Sequence, residues 1–225
     1  MPAIAIIGAG PGMGLAIART FGAQGFNVAL LSRNPGKQQE TIATLAKEGI
    51  EAEAFETNVL DAASIGAGLA AAKKRFGSID VLEYSPSDPT ISVKPLLQLT
   101  PESIQAAVDF YLYGALAAVQ AVLPDMQAQG NGTILITTGA SSVFPHLANN
   151  TYANVAIATA ALRAYVHALH VALAPTGVQA GHVAIGAWIG KQPGATPEAI
   201  APLYWKLHTE RDQVEKTFFV ENATT

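Results

Sequence analysis

The chain contains no cysteine, and only 13% of its 225 residues are charged. The absence of cysteine excludes disulfide bonds, thiol catalysis and a cysteine-ligated metal site. The formal net charge of −4 argues against nucleic acid as the main partner, since nucleic-acid binding needs a basic surface. We find no uninterrupted apolar run long enough to cross a bilayer, because the longest runs are broken by Gly, Gln or Asn. No membrane association is therefore expected.

Half of the residues are hydrophobic, so much of the chain must be buried in a core or in an interface between subunits. A length of 225 residues is most simply one domain, which we assign to residues 1–225. The first residues enter a strand pattern at once, which indicates no signal peptide. We therefore expect a soluble, cytoplasmic protein.

The chain is organised around its first turn. Residues 3–7 form a continuous apolar run typical of a buried strand, and a glycine-dense turn follows from Gly8 to Gly14. Helical spacing begins at Leu15. Glycines let the backbone approach a pyrophosphate closely, and the new helix directs its free N–H groups and positive dipole end at that charge. The alternative is an ordinary tight connection between strand and helix; the position between a clean strand and a clean helix favours a nucleotide-phosphate site.

Strand and helix patterns then alternate along the whole chain, with short connections. Repeated βαβ units of this kind predict an α/β fold, a single Rossmann-type, doubly wound parallel sheet with helices on both faces. Such sheets bind ligands at the carboxyl ends of their strands. The predicted strands are 3–7, 26–31, 51–57, 79–84, 132–138, 178–185 and 216–220, and the two long predicted helices are 101–127 and 151–174.

The glycine spacing G-x-x-x-G-x-G, formed by Gly8, Gly12 and Gly14, resembles the short-chain dehydrogenase/reductase family, with Ile7 where family members usually carry threonine. The resemblance spans nearly the whole chain and implies a nucleotide cofactor. It places the cofactor against a larger set of residues: Gly8, Gly10, Pro11, Gly12, Met13, Gly14, Ser32, Arg33, Asn58, Val59, Tyr84, Ser85, Tyr152 and Gly186.

The end of the second strand bears on the choice of cofactor. NAD sites usually place Asp or Glu there to hold the adenosine ribose. This chain has Ser32-Arg33 instead, so no carboxylate repels a 2′-phosphate and a guanidinium is present to pair with one. Arg33 alone is also consistent with an ordinary surface residue, but its position favours NADP.

The catalytic positions depart from the family. The resemblance implies Tyr-x-x-x-Lys with a Ser and an Asn, but only the tyrosine matches, as Tyr152. Ala156 stands at the Lys position, Gly139 at the Ser position and Tyr111 at the Asn position. Ser141 and Ser142 lie close enough in sequence to supply a hydroxyl. A tyrosine without a neighbouring cation is a poor base, but it can still donate a proton to a carbonyl oxygen.

Several other residues allow two interpretations. Glu83-Tyr84-Ser85-Pro86 replaces the family's Asn-Asn-Ala-Gly turn, so Tyr84 and Ser85 either face the cofactor or pack. His167 and His170 lie three apart on a helix, but without a third ligand they predict no metal site. His146 is a candidate substrate contact, and His182 in the sixth strand is interpreted as structural.

Two functions follow. The first is an NADP(H)-dependent oxidoreductase that reduces a small-molecule carbonyl, with Tyr152 as proton donor and Ser141 or Ser142 assisting. The second is an inactive NADP(H)-binding protein that acts as a sensor or as a partner subunit. The long helices are apolar on more than one side and must be covered; because family members bury the matching helices between subunits, we expect a homodimer or homotetramer.

Overall fold

Seven parallel strands form one sheet in the computed structural model, which describes residues 1–148 and 151–220. The strand order is β3-β2-β1-β4-β5-β6-β7, and every neighbouring pair is parallel. The strands are β1 (Ala3–Ile7), β2 (Asn27–Ser32), β3 (Ala52–Glu56), β4 (Val81–Tyr84), β5 (Gly132–Gly139), β6 (Val178–Gly186) and β7 (Glu215–Phe219).

Helices cover both faces of this sheet, which confirms the predicted doubly wound fold. They are α1 (Met13–Gly22), α2 (Gln39–Lys47), α3 (Ala62–Phe76), α4 (Pro101–Val108), α5 (Gly114–Gln129), α6 (Ala153–Leu173), α7 (Pro197–Ile200) and α8 (Pro202–Glu210). One buried cluster joins α3, α5 and α6 to the sheet, and a second joins α1, α2 and α8 to the other face. Alternate residues of each strand enter the two clusters because successive side chains point to opposite faces.

The local sequence explains where the first elements begin and end. All five residues of β1 are buried, as expected for a central parallel strand with helices on both sides. Helix α3 begins where Asp61 accepts hydrogen bonds from the N–H groups of Ala63 and Ser64. Helix α4 begins with a capping box between Thr100 and Ser103. The strands lie within two residues of their predicted bounds.

The long helix predicted at 101–127 is interrupted. Residues Asp109–Tyr113 form a π-helical turn between α4 and α5. A π turn inserts one extra residue and rotates the side chains that follow it, and such turns are frequent at functional sites. Here the turn carries Tyr111 to the edge of a cleft.

The topology fixes where a ligand can enter. The order in which strands are added to the sheet reverses between β1 and β4: β2 and β3 lie on one side of β1, and β4 to β7 lie on the other. The loops that follow β1 and β4 run in opposite directions at such a switch point, which opens a crevice at the carboxyl ends of the two strands. The cleft described below lies there.

Two helical stretches of the described chain, Pro101–Gln129 and Ala153–Thr176, are long and apolar enough by composition to cross a membrane, with mean hydropathy of 1.5 and 1.4. Helices that cover a sheet pass the same test, and both stretches pack on the sheet. Each also leaves apolar side chains exposed, among them Ile157 and Val171 on α6.

Candidate active site

The glycine turn after β1 forms one wall of the cleft. Gly8 has a φ of +96°, and a Cβ on it would lie 2.5 Å from the backbone of Pro86, so both its conformation and its surroundings require glycine. A Cβ on Gly10 or on Gly12 would meet no atom within 4 Å. Helix α1 begins directly behind this open space, without a side-chain cap and without an acidic residue in its first turn. The turn therefore offers an uncapped helix N-terminus to an anion.

A cleft of about 530 Å³ runs from this turn across the ends of β4 and β5. That volume lies within the range of small-molecule sites. Predicted cofactor and catalytic residues lie along the same cleft: Gly8, Gly10, Met13 and Gly14 from the turn, Ser85 after β4, and Ser141 and Tyr152 beyond β5.

A smaller cavity adjoins the cleft at the end of β2, where Ser32, Arg33 and Val59 line it. The Arg33 guanidinium donates to the carboxylate of Asp88 at 2.7 Å. Arg33 is 62% exposed, whereas the Asp88 side chain is 7% exposed. Hydrogen bonds from the Thr90 hydroxyl and backbone, followed by the charge of Arg33, keep the pKa of Asp88 below its usual value. A guanidinium thus lies beside the cavity at the end of β2, and it already has an anionic partner in Asp88.

Asn58 shapes the loop beside this cavity through its own backbone. Its side-chain oxygen accepts from the N–H of Leu60 at 3.1 Å, and its N–H donates to the Ser64 hydroxyl at 2.9 Å. Val59 is held buried against the cavity by this turn.

Tyr84 does not present its side chain to the cleft. Its ring is 1% exposed, and its hydroxyl donates to the carbonyl of Phe110 at 2.7 Å. The ring fits under Gly114, where a Cβ would collide with the tyrosine hydroxyl. The structure therefore favours packing over the predicted cofactor contact for this side chain.

Gly186 likewise serves packing. A Cβ on this residue would collide with the ring of Phe219 on β7, which explains the glycine. Its neighbours Ile185 and Ala187 line the cleft, whereas Gly186 itself does not.

Tyr152 stands at the first turn of α6 and lines the cleft with Ser141. Its hydroxyl donates to the carbonyl of Leu147 at 2.6 Å. One helical turn further, Ala156 is buried and offers no cation. Lys94 contributes backbone atoms to the start of α6: its N–H donates to the Asn154 side chain at 2.9 Å.

Tyr111 occupies the position that the family gives to asparagine, and the π turn brings it to the same cleft. Burial raises the pKa of its phenol, with a further contribution from the negative charge of Asp88. It is therefore a neutral hydrogen-bonding group at neutral pH.

A buried carboxyl group lies beneath the cleft, and the sequence did not indicate it. Glu83 on β4 is fully buried and accepts from the hydroxyls of Ser85 and Thr137, both at 2.8 Å. Thr137 in turn contacts the Tyr204 hydroxyl at 2.7 Å. Burial raises the pKa of Glu83 to about 8, against the two hydroxyl donors that lower it. Ser85 and Thr137 both line the cleft, so the carboxyl group of Glu83, which is neutral at neutral pH, lies directly beneath these two hydroxyls.

A second polar cluster lies on the opposite face of the sheet. His182 on β6 is completely buried between the hydroxyl of Thr138 and the carboxylate of Glu215. Arg163 and His167 on α6 contact the same carboxylate. The interpretation of His182 as structural omitted these partners, because Glu215 faces His182 only through the pairing of β6 with β7.

The other predicted histidines lie apart from the cleft. His167 contacts Glu215, and His170 contacts the carbonyl of Ala180, so the two rings have different partners. His146 is exposed beside Phe144, with ring centroids 6.3 Å apart, and does not line the cleft.

Comparisons with known proteins identify the family and the fold. The family model of the short chain dehydrogenases matches residues 2–189, and the chain therefore belongs to the short chain dehydrogenase family. The chain is 28% identical to galactitol 2-dehydrogenase of Agrobacterium fabrum, over 87% of its own length and 80% of the relative.

It is also 29% identical to the 2,3-dihydro-2,3-dihydroxybenzoate dehydrogenase of Bacillus subtilis, over 66% of this chain and only 56% of that relative. An NADPH-bound short chain oxidoreductase of Pseudomonas aeruginosa PAO1, described as containing an atypical catalytic center, has the same fold. Its TM-score is 0.84 at 17% identity, with 98% of this chain and 96% of that chain covered.

Proposed function

We propose that the protein is an NADP(H)-dependent oxidoreductase that reduces a carbonyl group of a small molecule, with Tyr152 as the proton donor. The observation that carries the proposal is the continuity of one cleft from the Gly8–Gly14 turn to Tyr152 and Ser141. A nucleotide held at the turn and a substrate held at Tyr152 would then meet within the same space.

The cofactor would be held mainly by backbone. The open space over Gly10 and Gly12 accommodates a pyrophosphate, since side chains at either position would occupy it. Pro11 and Met13 complete the turn, and Asn58 and Val59 border the adenosine side. When bound, the cofactor supplies a hydride to the carbonyl carbon.

Arg33 supports a preference for NADP over NAD. Its guanidinium is mostly exposed beside the adenosine cavity, and the end of β2 carries no carboxylate. The exchange of Asp88 for a 2′-phosphate would keep the guanidinium paired. The NADPH-bound structure of the Pseudomonas aeruginosa oxidoreductase is consistent with this choice.

The proton would come from the phenol of Tyr152. Its hydroxyl already donates to a backbone carbonyl at 2.6 Å, so its hydrogen is available for transfer to a substrate oxygen that takes the place of that acceptor. Ser141 lines the same region and would hold the substrate oxygen by a second hydrogen bond. Without a cation at Ala156 the phenol serves carbonyl reduction better than alcohol oxidation.

The names of the two curated relatives point to hydroxylated small molecules, which are the alcohol form of a carbonyl substrate. We propose that residues 1–225 act as one cytoplasmic domain, and that the exposed apolar side chains of α6 are covered in a homodimer or homotetramer. Light scattering at micromolar concentration would test this assembly, and a monomer would contradict it.

The central experiment measures NADPH and NADH consumption against a broad panel of carbonyl compounds, in the wild type and in Tyr152→Phe. We expect NADPH to be preferred and turnover to fall by about 10²- to 10⁴-fold in the variant, the usual contribution of a proton donor. The dissociation constant for NADPH should change far less than turnover, because the variant leaves the phosphate turn intact.

Tyr113→Phe is the matched control, because Tyr113 is 50% exposed and does not line the cleft, and its turnover should equal that of the wild type. Turnover that survives in Tyr152→Phe would contradict the assignment of the proton donor. NADPH binding without turnover of any carbonyl would contradict the enzyme and support the sensor or partner-subunit function instead.

A further inference from the structure

The floor of the cleft lies on a buried carboxyl group that the proposed reaction leaves without a role. Oε2 of Glu83 accepts from the Ser85 hydroxyl and Oε1 accepts from the Thr137 hydroxyl, both at 2.8 Å. The glutamate is 0% exposed, whereas Ser85 and Thr137 both line the cleft. A single layer of hydroxyl groups therefore separates the carboxyl group from a ligand in the cleft. The role of Glu83 rests on the proposed function, because it concerns the cofactor held in that cleft.

The groups packed around Glu83 are apolar or neutral. Its partners in the sheet are Ile6 on β1 and Leu135 on β5. The titratable group on this side is Tyr204 of α8, whose hydroxyl lies 2.7 Å from Oγ1 of Thr137. Burial, and then the charge of Glu83, keep the pKa of that phenol well above its usual value, so it stays neutral. In the described part of the chain no cation contacts the carboxyl group, and burial raises its pKa to about 8.

The floor offers different hydrogen-bonding groups in the two protonation states of Glu83. The Tyr204 phenol donates to the Thr137 hydroxyl, because a buried O–H without an acceptor is costly. When Glu83 is ionised, Thr137 and Ser85 both donate to the carboxylate and offer the cleft only lone pairs. When Glu83 is protonated, the acid donates to one of these hydroxyls, whose own hydrogen is then free to point into the cleft. The floor is thus a neutral donor in one state and an anionic acceptor in the other.

The order of the strands places this floor in the middle of the cleft. The Gly8–Gly14 turn follows β1 and Ser85 follows β4, which lies between β1 and β5. Thr137 lies near the end of β5, and Tyr152 lies beyond that strand at the start of α6. In the proposed complex the phosphates lie at the turn and the substrate lies at Tyr152. The nicotinamide half of the cofactor is therefore the part that lies over Glu83.

The nicotinamide ring is also the part of the cofactor whose charge differs between its two forms. The ring is positively charged in NADP⁺ and uncharged in NADPH, whereas the phosphates are common to both. A carboxylate one layer of hydroxyls away attracts the charged ring, and a neutral acid does not. Bound NADP⁺ therefore favours ionised Glu83, and ionised Glu83 favours NADP⁺ to the same extent.

We propose that Glu83 senses the oxidation state of the bound cofactor through Ser85 and Thr137, as an acid beneath NADPH and as a carboxylate beneath NADP⁺. When NADP⁺ binds, the O–H bond of the carboxyl group breaks. Where the acid donates to Ser85, its proton passes to Oγ of the serine, and the serine's own hydrogen passes to water in the cleft. Ser85 then donates to the carboxylate. The balance is one proton released to solvent for each acid that ionises, and NADPH leaves the acid protonated.

The first test measures the dissociation constants of NADP⁺ and NADPH, without substrate, from about pH 6.5 to about pH 9.5. The ratio of the two constants isolates the ring, because the 2′-phosphate titrates in both ligands. We expect the preference of the wild type for NADP⁺ to rise about 10-fold with pH, which corresponds to a fall of about one in the pKa of Glu83. The rise should be complete above about pH 8, where Glu83 is ionised before the ligand binds.

Glu83→Gln fixes the floor in its neutral form, because the amide donates to one hydroxyl and accepts from the other. This variant should bind NADPH as the wild type does, and its ratio of dissociation constants should not change with pH. Glu40→Gln is the matched control, since it removes a carboxylate from an exposed position on α2 and should keep the pH dependence of the wild type. Thermal unfolding shows first that each variant folds.

A second test needs no variant, so it applies even if Glu83→Gln does not fold. Calorimetry at about pH 7.5, in two buffers that differ in ionisation enthalpy, counts the protons released on binding. NADP⁺ should release more protons than NADPH. The infrared band of the protonated carboxyl group should also weaken when NADP⁺ binds and persist when NADPH binds.

Equal proton release by the two ligands would overturn the role of Glu83, as would a pH-dependent ratio that survives in Glu83→Gln. Failure of the wild type to bind either ligand would instead overturn the proposed function, and the role of Glu83 with it. The two failures are therefore distinguishable.

Discussion

Glu83 and Glu215 lie on strands of the same sheet, on opposite faces, and their pKa values move in opposite directions. Burial raises the pKa of Glu83 to about 8, and its partners, Ser85 and Thr137, are neutral hydroxyls. Glu215 is also desolvated, but Arg163, His167 and His182 donate to it and lower its pKa to about 2. Glu83 is fully buried among neutral hydroxyls and stays protonated at neutral pH, whereas Glu215, whose side chain is 18% exposed beside a guanidinium, is ionised.

The two groups also link stability to pH in opposite ways. The folded-state pKa of Glu83 lies above its ordinary value of 4.5. Its contribution to the free energy of unfolding is therefore fully present below pH 4.5 and is lost as the pH rises towards about 8. The folded-state pKa of Glu215 lies below 4.5, so its contribution is present above pH 4.5 and is lost as the pH falls towards about 2.

The largest expected effect comes from removing the charge of Glu83. Glu83→Gln keeps the shape and the hydroxyl partners but cannot ionise. Relative to the wild type it should gain stability as the pH rises from 4.5 to about 8, by up to about 1.4 kcal/mol per pH unit. Urea unfolding at several pH values measures this difference.

Glu40→Gln, an exposed change on α2, is the control for the loss of a surface carboxylate. A difference between Glu83→Gln and the wild type that stays constant with pH would mean that Glu83 is ionised throughout, and the contrast with Glu215 would disappear.

A smaller effect is expected from removing the cation beside Glu215. Arg163→Met keeps much of the side-chain volume and leaves the Glu215 carboxylate with the two imidazoles of His167 and His182 as partners. We expect a loss of about 2–3 kcal/mol in the free energy of unfolding at pH 7, since a partly buried charge loses its bidentate partner.

The matched control is Lys73→Met, which breaks an ion pair with Asp125 whose two side chains are about half exposed. That pair should contribute less than about 1 kcal/mol. Equal losses in the two variants would show that the Arg163 pair behaves as an ordinary surface pair.

The smallest effect concerns the hydroxyl groups around Glu83. Ser85→Ala removes one donor to the carboxyl group, so the pKa of Glu83 should rise further, and the protonated form should persist to higher pH. The infrared band of the protonated carboxyl group, followed by pH titration, measures this shift. A pKa that falls in Ser85→Ala would contradict the assignment of Ser85 as a donor to the carboxylate.

The elements that the sequence predicted well depend on local patterns. The buried run of β1, the glycine turn and the start of α1 follow from adjacent residues, and the alternation of strand and helix dictates the sheet. Gly8 was recognised from its position in the turn, although its closest neighbour, Pro86, lies 78 residues further along the chain. Family resemblance, rather than periodicity, suggested the departures at Ala156 and Tyr111.

What the sequence did not reveal depends on pairing between distant segments. Glu83 meets Thr137 only because β4 and β5 lie side by side, and His182 meets Glu215 because β6 and β7 are paired at these residues. The π-helical turn does not show in the spacing of the apolar residues, so it could not be predicted from the sequence. The burial of Tyr84 follows from Gly114, a glycine inside a helical pattern, which is the signal that could have revealed it.

The ion pair between Arg33 and Asp88 has a consequence for the rates at which ligands enter and leave. It ties the end of β2 to the loop after β4, across the carboxyl end of β1. The pair uses Nη1 of Arg33, and an anion that took the place of Asp88 there would release the loop from β2 for as long as it stayed. When the anion leaves, the ion pair between Arg33 and Asp88 can re-form, so rebinding of the anion competes with re-formation of the ion pair. Binding of an anion at Arg33 and mobility of the loop after β4 would thus increase and decrease together.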